Sequence, residues 1–584
     1  ALDLSAATSA QTIGGLSGVA GTNVNMGGNG LTLGGTASGT FGGAIGGTGS
    51  LTLAGTGTQT FNGASTYSGG TNLNGGSSVV LGNNAALGTG TLNVGGAATL
   101  DTNTSLSVNN AVNLGNGSTL TLGGSNALTL SGGIAGAGAL VKNGAATTTL
   151  TGANTYTGGT TINAGTLAVG AGGSLAATGA VNLANAGAAL DLSAATSAQT
   201  IGGLSGVAGT NVNMGGNGLT LGGTASGTFS GAIGGTGSLT LAGTGTQTLN
   251  GASTYSGGTN LNGGSSVVLG NNSALGTGTL NVGGAATLDT NTSLSVDNAV
   301  NLGNGSTLTL GGSNALTLSG GIAGAGALVK DGAATTTLTA ANTYTGGTTI
   351  NAGTLALGAG GSLAATGAVN VAGAGAALDL SAATGAQTIG ALSGVAGSAV
   401  NLGTNGLTLS GTASGNFGGT IGGTGGLTVA GTGTQTLSGT NTYTGGTTIN
   451  GGSTLALGAG GSLASTGTVD LAGAGATFNL SGASGSQTIG ALTGAANTNV
   501  DLGANGLTLS GNGNHAFGGT IGGTGSVTFA GAGTQTLTGA NTYTGGTTIN
   551  GGSTLALGAN GSLASGGAVN LAGAGATFNL SGAS

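Results

Sequence analysis

The stretch that decides the fold is "LTLGGTASGTFGGAIGGTGSLTL", residues 31–53, which begins and ends with the same three residues. The period of 20 residues continues with "TNLN" at Thr71, "TLNV" at Thr91 and "AVNL" at Ala111. Each run alternates apolar and polar residues between Gly or Asn, which is typical of short strands joined by tight turns. Helical periodicity is missing, and Gly at this density opposes helix formation.

A parallel β-helix accounts for both the 20-residue period and the short strands, because each turn of such a helix contains several short strands. Each coil would stack on the next at the spacing of neighbouring strands, with Leu, Val and Ile pointing inward and Thr, Ser and Asn pointing outward. Gly and Asn are expected at the corners, where positive φ is needed. The sequence therefore predicts an all-β rod of about 29 coils with roughly 20 residues each, which at about 4.8 Å per coil extends roughly 140 Å.

The composition excludes several other classes of protein. The chain has 143 Gly and no Pro in 584 residues, without a three-residue Gly period, so it is not collagen. A hydrophobic content of 38% is too high for a disordered linker. Lys142 and Lys330 are the only basic residues, so binding to nucleic acid is not expected. The absence of Cys excludes disulfides and thiol chemistry.

Longer repeats divide the chain. Residues 1–188 return almost unchanged as 189–376, and each of these blocks contains two related units. Single units follow at 377–476 and 477–576, and a further unit starts at 577–584. We expect one continuous β-helix, with five coils in each 100-residue unit and either nine or ten in the 188-residue block.

A decapeptide marks each unit. "NTYTGGTTIN" occupies residues 154–163 and recurs three times, and "STYSGGTNLN" is a looser form found twice. Its tyrosines are Tyr67, Tyr156, Tyr255, Tyr344, Tyr443 and Tyr543. We interpret them as structural repeat markers that cover an edge of the coil, followed by a Gly pair that turns the chain and "TTIN" that starts the next strand. A tyrosine platform for a ligand is disfavoured, because about five coils, roughly 24 Å, separate neighbouring copies.

The segment "LVKNGAATTTLTGANTYTGGTTINAGTLAVG", residues 140–170, resembles the passenger-associated repeat of bacterial autotransporters. The resemblance lies in Lys142 after a short strand, the Thr-Leu-Thr-Gly run, the decapeptide and the trailing Gly-Thr-Leu. It implies a right-handed β-helical passenger that is secreted through an outer-membrane barrel and displayed on a Gram-negative cell. The sequence shows neither signal peptide nor barrel, and Leu53 stands where the family has lysine, so that lysine is dispensable.

No catalytic, metal-binding or cofactor-binding residues are predicted, and the chain is not expected to be an enzyme. His515 is the only histidine, and nothing around it indicates a nucleophile. Nine Asp without any Glu offer no paired carboxylates for glycoside cleavage. Asp3, Asp191 and Asp379 share one repeat position, which indicates a turn or a ladder of stacked side chains.

The leading functional hypothesis is a cell-surface rod, the repeat stalk of an adhesin that mediates attachment or cell–cell aggregation. Its expected partners are further copies of itself, side by side or end to end, and host or neighbouring cells; it would meet a membrane only through a barrel domain absent from this sequence. One alternative is a segment of an extracellular filament or sheath. Another is binding to ice or a flat surface, which requires Thr-x-Thr on the same face of nearly every coil.

Overall fold

The chain folds entirely into short parallel strands. A computed structural model describes residues 1–583; Ser584, the end of the predicted unit 577–584, lies outside them. Within that range there are 70 strands of two to six residues and no helix. Partner strands lie about 20 residues apart and run parallel, as Leu31–Leu33 and Leu51–Leu53 do. The prediction of a parallel β-solenoid of about 29 coils is confirmed.

The chain forms two compact units, Ala1–Thr287 and Leu288–Ser584. In each unit every coil passes three faces, which we name A, B and C in the order in which the chain visits them, separately for each unit. In some coils an irregular segment replaces the strand of one face. The strand Ala285–Thr290 lies across the border between the units.

The strands of unit 1 are given face by face. Face A contains Leu2–Asp3, Asn23–Asn25, Ala44–Gly46, Leu106–Val108, Leu128–Leu130, Thr148–Leu150, Thr166–Val169, Ala189–Asp191, Asn211–Asn213 and Ala232–Gly234. Face B contains Gln11–Ile13, Leu31–Leu33, Leu51–Leu53, Thr71–Leu73, Leu92–Val94, Val112–Leu114, Ile134–Gly136, Gln199–Ile201, Leu219–Leu221, Leu239–Leu241, Thr259–Leu261 and Leu280–Val282. Face C contains Gly39–Phe41, Thr58–Phe61, Ser78–Leu81, Ala97–Thr102, Thr119–Leu122, Ala139–Lys142, Thr160–Ile162, Ala180–Leu183, Gly203–Gly206, Gly227–Phe229, Thr246–Leu249 and Ser266–Leu269.

Unit 2 repeats the arrangement. Face A contains Leu294–Val296, Leu316–Leu318, Thr335–Leu338, Thr354–Leu357, Ala377–Asp379, Ala399–Asn401, Thr420–Gly422, Gln487–Ile489, Leu507–Leu509, Val527–Phe529, Thr547–Asn550 and Val569–Ala572. Face B contains Val300–Leu302, Ile322–Gly324, Gln387–Ile389, Leu407–Leu409, Leu427–Val429, Thr447–Ile449, Thr468–Leu471, Ala491–Gly494, His515–Phe517, Thr534–Leu537, Thr554–Leu557 and Thr577–Asn579. Face C contains Thr307–Leu310, Ala327–Lys330, Thr348–Ile350, Val369–Val371, Leu392–Gly394, Gly415–Phe417, Thr434–Leu437, Thr454–Leu457, Thr477–Asn479, Asn499–Asp501 and Thr520–Gly522.

The core is a stack of apolar columns inside the coils. Leu31 and Leu51 are partners in register and fully buried, whereas Thr32 and Thr52 between the leucines are partly exposed. This follows from the two-residue period of a strand, which sends alternate side chains to opposite sides of the sheet. Each buried Leu contributes about 1.5–3 kcal/mol to the hydrophobic stabilisation, so the strength of the core grows with the number of coils.

Close stacking of corners explains the high glycine content. A Cβ atom on Gly237 would lie 1.6 Å from the carbonyl oxygen of Asn217 in the coil below, so only Gly fits there. Gly159, which follows the decapeptide tyrosine, has φ +82°, in the left-handed region that favours glycine. Asn497 and Asn560 are the two non-glycine residues with positive φ in the described range. Corners built from Gly and Asn are thus confirmed.

The block 1–188 comprises nine coils. Strands Leu2–Asp3 and Ala189–Asp191 hold equivalent sequence positions, and both lie on face A. Between them the chain passes face C nine times, eight times as a strand and once as the bridge between Gly18 and Phe41. A 188-residue shift therefore returns the chain to the same face.

The repeat 377–476 does not contain a whole number of coils. It starts on face A of unit 2 with Ala377–Asp379, whereas the next copy starts on face C with Thr477–Asn479. One copy advances by four full coils and two further faces, so the prediction of five coils is wrong. The reason is that corners vary in length: partners are 20 residues apart at Leu31 and Leu51 but 23 apart at Asn182 and Ser205.

Candidate functional site

The repeat tyrosines are interior residues. Tyr156 is fully buried, and its hydroxyl is 2.6 Å from the Thr160 hydroxyl, where the next strand begins. The other five are equally enclosed, and each pairs with the threonine four residues later at 2.6–2.7 Å. Each tyrosine lies in a coil that has no strand on one face, and its ring fills the interior space that the inward side chains of a strand fill in other coils. The prediction that the tyrosines cover an edge of the coil is therefore wrong. The paired hydroxyls satisfy each other inside the core.

Burial changes the acidity of these phenols. It raises the pKa of Tyr156 and Tyr344 to about 12, because the charged form would lose its hydration. The pKa values of the other four are also raised by burial. The tyrosines therefore remain neutral at physiological pH, and they serve packing rather than acid–base chemistry.

The asparagine that opens the decapeptide connects three coils. The Asn154 Oδ1 accepts a hydrogen bond from the Ile134 N–H at 2.8 Å, and its Nδ2 donates to the Ser174 carbonyl at 2.5 Å. In the looser copies serine takes part of this role, since the Ser65 hydroxyl accepts from the Ile45 N–H at 3.2 Å. Sequence reasoning missed this bridge. Its signal is the restriction of that position to Asn or Ser.

Inward glutamines form a second kind of bridge. The Gln59 Nε2 donates to the Leu16 carbonyl at 2.8 Å, and its Oε1 accepts from the Leu16 N–H at 3.2 Å, which spans two coils. Gln247 and Gln435 make the corresponding contacts with Leu204 and Leu392. These polar side chains are buried because they pair with backbone groups. Sequence reasoning missed them, although the apolar-side position of Gln in "TQTF" is a usable signal.

Both lysines lie in the core. Lys142 continues the inward column between Leu122 and Ile162, and only 1% of its surface is exposed. Its Nζ donates to the carbonyls of Gly144 and, at 3.3 Å, Ala164. Burial lowers the pKa of the Lys142 and Lys330 amines. The described surface of the protein therefore carries no lysine.

The three aspartates at one position of the repeat, Asp3, Asp191 and Asp379, take part in turns and in ladders of stacked side chains. Asp191 Oδ1 accepts hydrogen bonds from the Ser193 N–H at 2.9 Å and from the Asn213 Nδ2 at 3.0 Å. Asp3 and Asp379 make the same two contacts. The predicted turn-and-ladder role of this position is confirmed.

His515 starts a strand of face B and is partly exposed. It lies opposite Gln535 on the next coil and occupies the repeat position of Gly415. Throughout residues 1–583, no three His, Cys, Asp or Glu side chains come close enough to hold a metal ion. In the same range, no helix has the length and apolar character needed to cross a membrane.

The outward side chains form rows that contain few charges. On face B of unit 2, Thr388, Thr408, Thr428 and Thr448 follow each other in register. On face B of unit 1, the row ends in amides that bond along the axis: the Asn72 Nδ2 donates to the Thr52 hydroxyl at 3.1 Å, and the Asn93 Nδ2 to the Asn72 Oδ1 at 3.1 Å.

These threonine rows are mostly single. A three-residue strand such as Leu407–Leu409 directs one side chain outward. On face C of unit 2, Thr434 and Thr436 lie side by side, but their partners on the next coil are Thr454 and Ala456. The paired rows needed for the ice-binding alternative are thus interrupted.

Six segments match the sequence family described as the passenger-associated-transport-repeat, at residues 51–77, 140–169, 239–265, 328–357, 427–457 and 527–557. Each segment contains one buried repeat tyrosine together with the strand before it and the strand after it. No curated protein and no solved structure matches the chain. The repeat family implies secretion to the cell surface, and the solenoid fits the stalk of such a passenger. The chain thus carries six copies of this repeat, spread along its length, and these copies match the autotransporter passenger repeat family.

Proposed function

We propose that this passenger stalk is adhesive and associates side by side with copies of itself, which joins neighbouring cells. The observation that supports the proposal is the run of four threonines on face B of unit 2, Thr388, Thr408, Thr428 and Thr448, which carries no charge until Asp470 follows on the next coil. Hydroxyl groups both donate and accept hydrogen bonds, so such a row is complementary to an identical row on a second copy.

The surface also lacks the usual protection against lateral pairing. Natural sheets protect their edges from association with exposed charges, especially lysine, and like charges on two sheet faces repel each other in the same way. Here both lysines are buried, and nine Asp are distributed over 584 residues. Repulsion between two stalks is therefore weak, and salt should affect their association little.

We place the stalk outside a Gram-negative cell, held at its outer membrane. The passenger repeat family supports this location. An anchored stalk with adhesive faces would bring such faces on neighbouring cells into contact. Attachment to host cells could use the same rows.

The row can be tested by charge reversal between partners. One variant carries lysine in place of Thr408, Thr428 and Thr448, and a second carries glutamate there. Each variant alone should remain dispersed, because like charges face each other, whereas a mixture of the two should associate. Turbidity and analytical ultracentrifugation of the purified chains measure the effect.

A matched control carries three lysines at exposed corner positions instead, Ala396, Thr412 and Thr466. It should associate like the unmodified chain. The proposal is wrong if the lysine variant associates as strongly as the unmodified chain, or if the lysine and glutamate variants do not associate when mixed.

A further inference from the structure

Each repeat interrupts one face of the solenoid for two coils. In unit 1, where residues 1–287 are all described, face A has no strand between Ala44–Gly46 and Leu106–Val108. Face B likewise has none between Ile134–Gly136 and Gln199–Ile201. The interruptions contain the segments of Tyr67 and Tyr156, respectively, and the coil that follows each. The two repeats therefore open their gaps on different faces.

An open groove lies at each gap. Groove 1, on face A, has a volume of about 380 Å³ and is lined by residues from Asn84 to Ala111. Groove 2, on face B, has a volume of about 420 Å³ and is lined by residues from Asn154 to Thr200. Both volumes fall within the range of roughly 300–1,000 Å³ that is usual for ligand sites.

Groove 1 offers unused amide donors. The Asn84 Oδ1 accepts from the Ser107 N–H at 2.9 Å, and the Asn109 Oδ1 accepts from the Ser131 hydroxyl. These bonds fix the two amides, while their Nδ2 groups donate to no acceptor within residues 1–583. Thr91 adds a hydroxyl to the lining.

Groove 2 offers hydroxyls beside an apolar lining. Thr155, Thr178 and Thr200 are exposed and line the groove together with Leu175 and Ala198. The amides of Asn154 and Gln199, in contrast, are engaged with backbone groups of neighbouring coils. A ligand here would meet threonine hydroxyls and methyl groups.

We propose that grooves 1 and 2 bind short stretches of a neutral glycan. A sugar presents hydroxyls that can accept from the free amides of groove 1 and exchange hydrogen bonds with the threonines of groove 2. No charged side chain lines either groove, and all of their lining residues are described. An anionic glycan would find no cation there, because Lys142 is buried in the core.

The two sites act together. No aromatic side chain lines either groove to stack on a sugar ring, so each site binds weakly. Because they lie on different faces, one stalk can engage separate glycan chains around it, and many weak contacts add up to firm attachment. This activity is independent of the lateral pairing of stalks.

The test compares neutral and anionic oligosaccharides on the full chain by saturation-transfer NMR. The probes are cellohexaose, maltohexaose and mannohexaose, with a heparin hexasaccharide as the anionic counterpart. Ala111→Lys places a long side chain in groove 1, and Ala198→Lys does so in groove 2; both positions are exposed, so folding should be unaffected. Ala127→Lys is the matched control, since Ala127 is exposed and also directly precedes a strand, but lies outside both grooves.

We expect at least one neutral hexasaccharide to bind, each single lysine variant to bind less, and the double variant to lose at least about tenfold in affinity. The control should bind like the unmodified chain. The proposal is overturned if none of the neutral probes binds at millimolar concentration, if heparin is preferred, or if the double variant keeps full affinity. It is also overturned if the double variant loses self-association instead, since the grooves would then accommodate a second copy of the chain.

Discussion

The Tyr156–Thr160 pair shows how one residue holds a coil that has lost a strand. The phenol is enclosed, its hydroxyl has a partner at 2.6 Å, and burial raises its pKa to about 12 from an ordinary value of 10. The folded state therefore prefers the neutral phenol. Its contribution to stability is complete below pH 10 and is lost as the pH rises through 12.

The first prediction follows from this titration. The free energy of unfolding should fall steeply between pH 10 and pH 12, and Tyr156→Phe combined with Tyr344→Phe should make the fall less steep, because two ionisable groups are gone. At neutral pH each substitution should cost about 1 kcal/mol through the lost hydrogen bond. Urea denaturation at neutral and alkaline pH measures both effects. An unchanged alkaline slope would contradict the proposed coupling.

Lys142 illustrates a residue that the fold tolerates rather than needs. Burial lowers its pKa below the ordinary 10.5, so the charged amine opposes folding at neutral pH and this penalty fades as the pH approaches 10.5. In the other repeats the equivalent positions hold Leu53, Leu241, Lys330, Val429 and Phe529.

The second prediction is that Lys142→Leu leaves the melting temperature unchanged or raises it, because replacing a buried charge by a well-packed apolar group is often neutral or stabilising. The reciprocal change, Leu241→Lys, should lower the melting temperature. Differential scanning calorimetry compares the two. A clear loss of stability in Lys142→Leu would show that the amine bonds to Gly144 and Ala164 are essential.

At the scale of strands and corners, the sequence pattern predicted most of the fold. The alternation in runs such as Leu31–Leu33 predicts strand, inward Leu and outward Thr, and the structure has all three. Gln59 and Asn154 were missed because polar residues read as outward, whereas here they are buried by bonding to backbone of other coils. The number of coils in each 100-residue copy was predicted wrongly because corner lengths vary, and corners carry no periodic signal.

Of the candidate site, the repeat segments were found from the sequence, but their grooves were not. The decapeptide identified the positions of all six tyrosines, which the family match also covers. The grooves arise because the coil after each tyrosine also lacks a strand on that face. Such a gap depends on stacking between coils, so a linear reading of the chain cannot show it.

The third prediction concerns the row of amides on face B of unit 1. Asn72→Asp together with Asn93→Asp places two carboxylates one strand spacing apart and removes the bond between the amides, so stability should fall by about 1 kcal/mol or more at low salt. Added salt should restore part of the loss. Asn93→Asp alone is the control: isolated charges are tolerated, as Asp470 is between Thr448 and Thr493. Chemical denaturation at two salt concentrations measures the free energy of unfolding of both variants. An equal loss of stability in the double and the single variant would contradict repulsion between the two carboxylates.

At the scale of the whole molecule, stability is distributed over neighbouring coils, as in other solenoids. The fourth prediction is that deletion of residues 377–476 leaves a folded chain. Residues 377 and 477 hold the same position of the repeat, so residue 477 can follow residue 376 directly, and every later strand then again lies on one of the three faces. Circular dichroism should stay β-rich, and the melting temperature should change by only a few degrees. Deletion of residues 427–436 is the control: it removes the face B strand Leu427–Val429 and most of the face C strand Thr434–Leu437, so later strands no longer meet their partners and the surrounding coils should unfold. Loss of structure in the 100-residue deletion would contradict the additive view.

The advance of four coils and two faces per copy has a geometric consequence for unit 2. Removing residues 377–476 would shorten the molecule and also turn everything beyond the junction by a third of a revolution, so that the strand at 477 would leave face C for face A. The number of copies in this part of the chain therefore sets the direction in which the following surface faces, as well as the length of the molecule. In a variant that gains or loses one such copy, the surface beyond the junction would face a different neighbour, although none of its residues has changed.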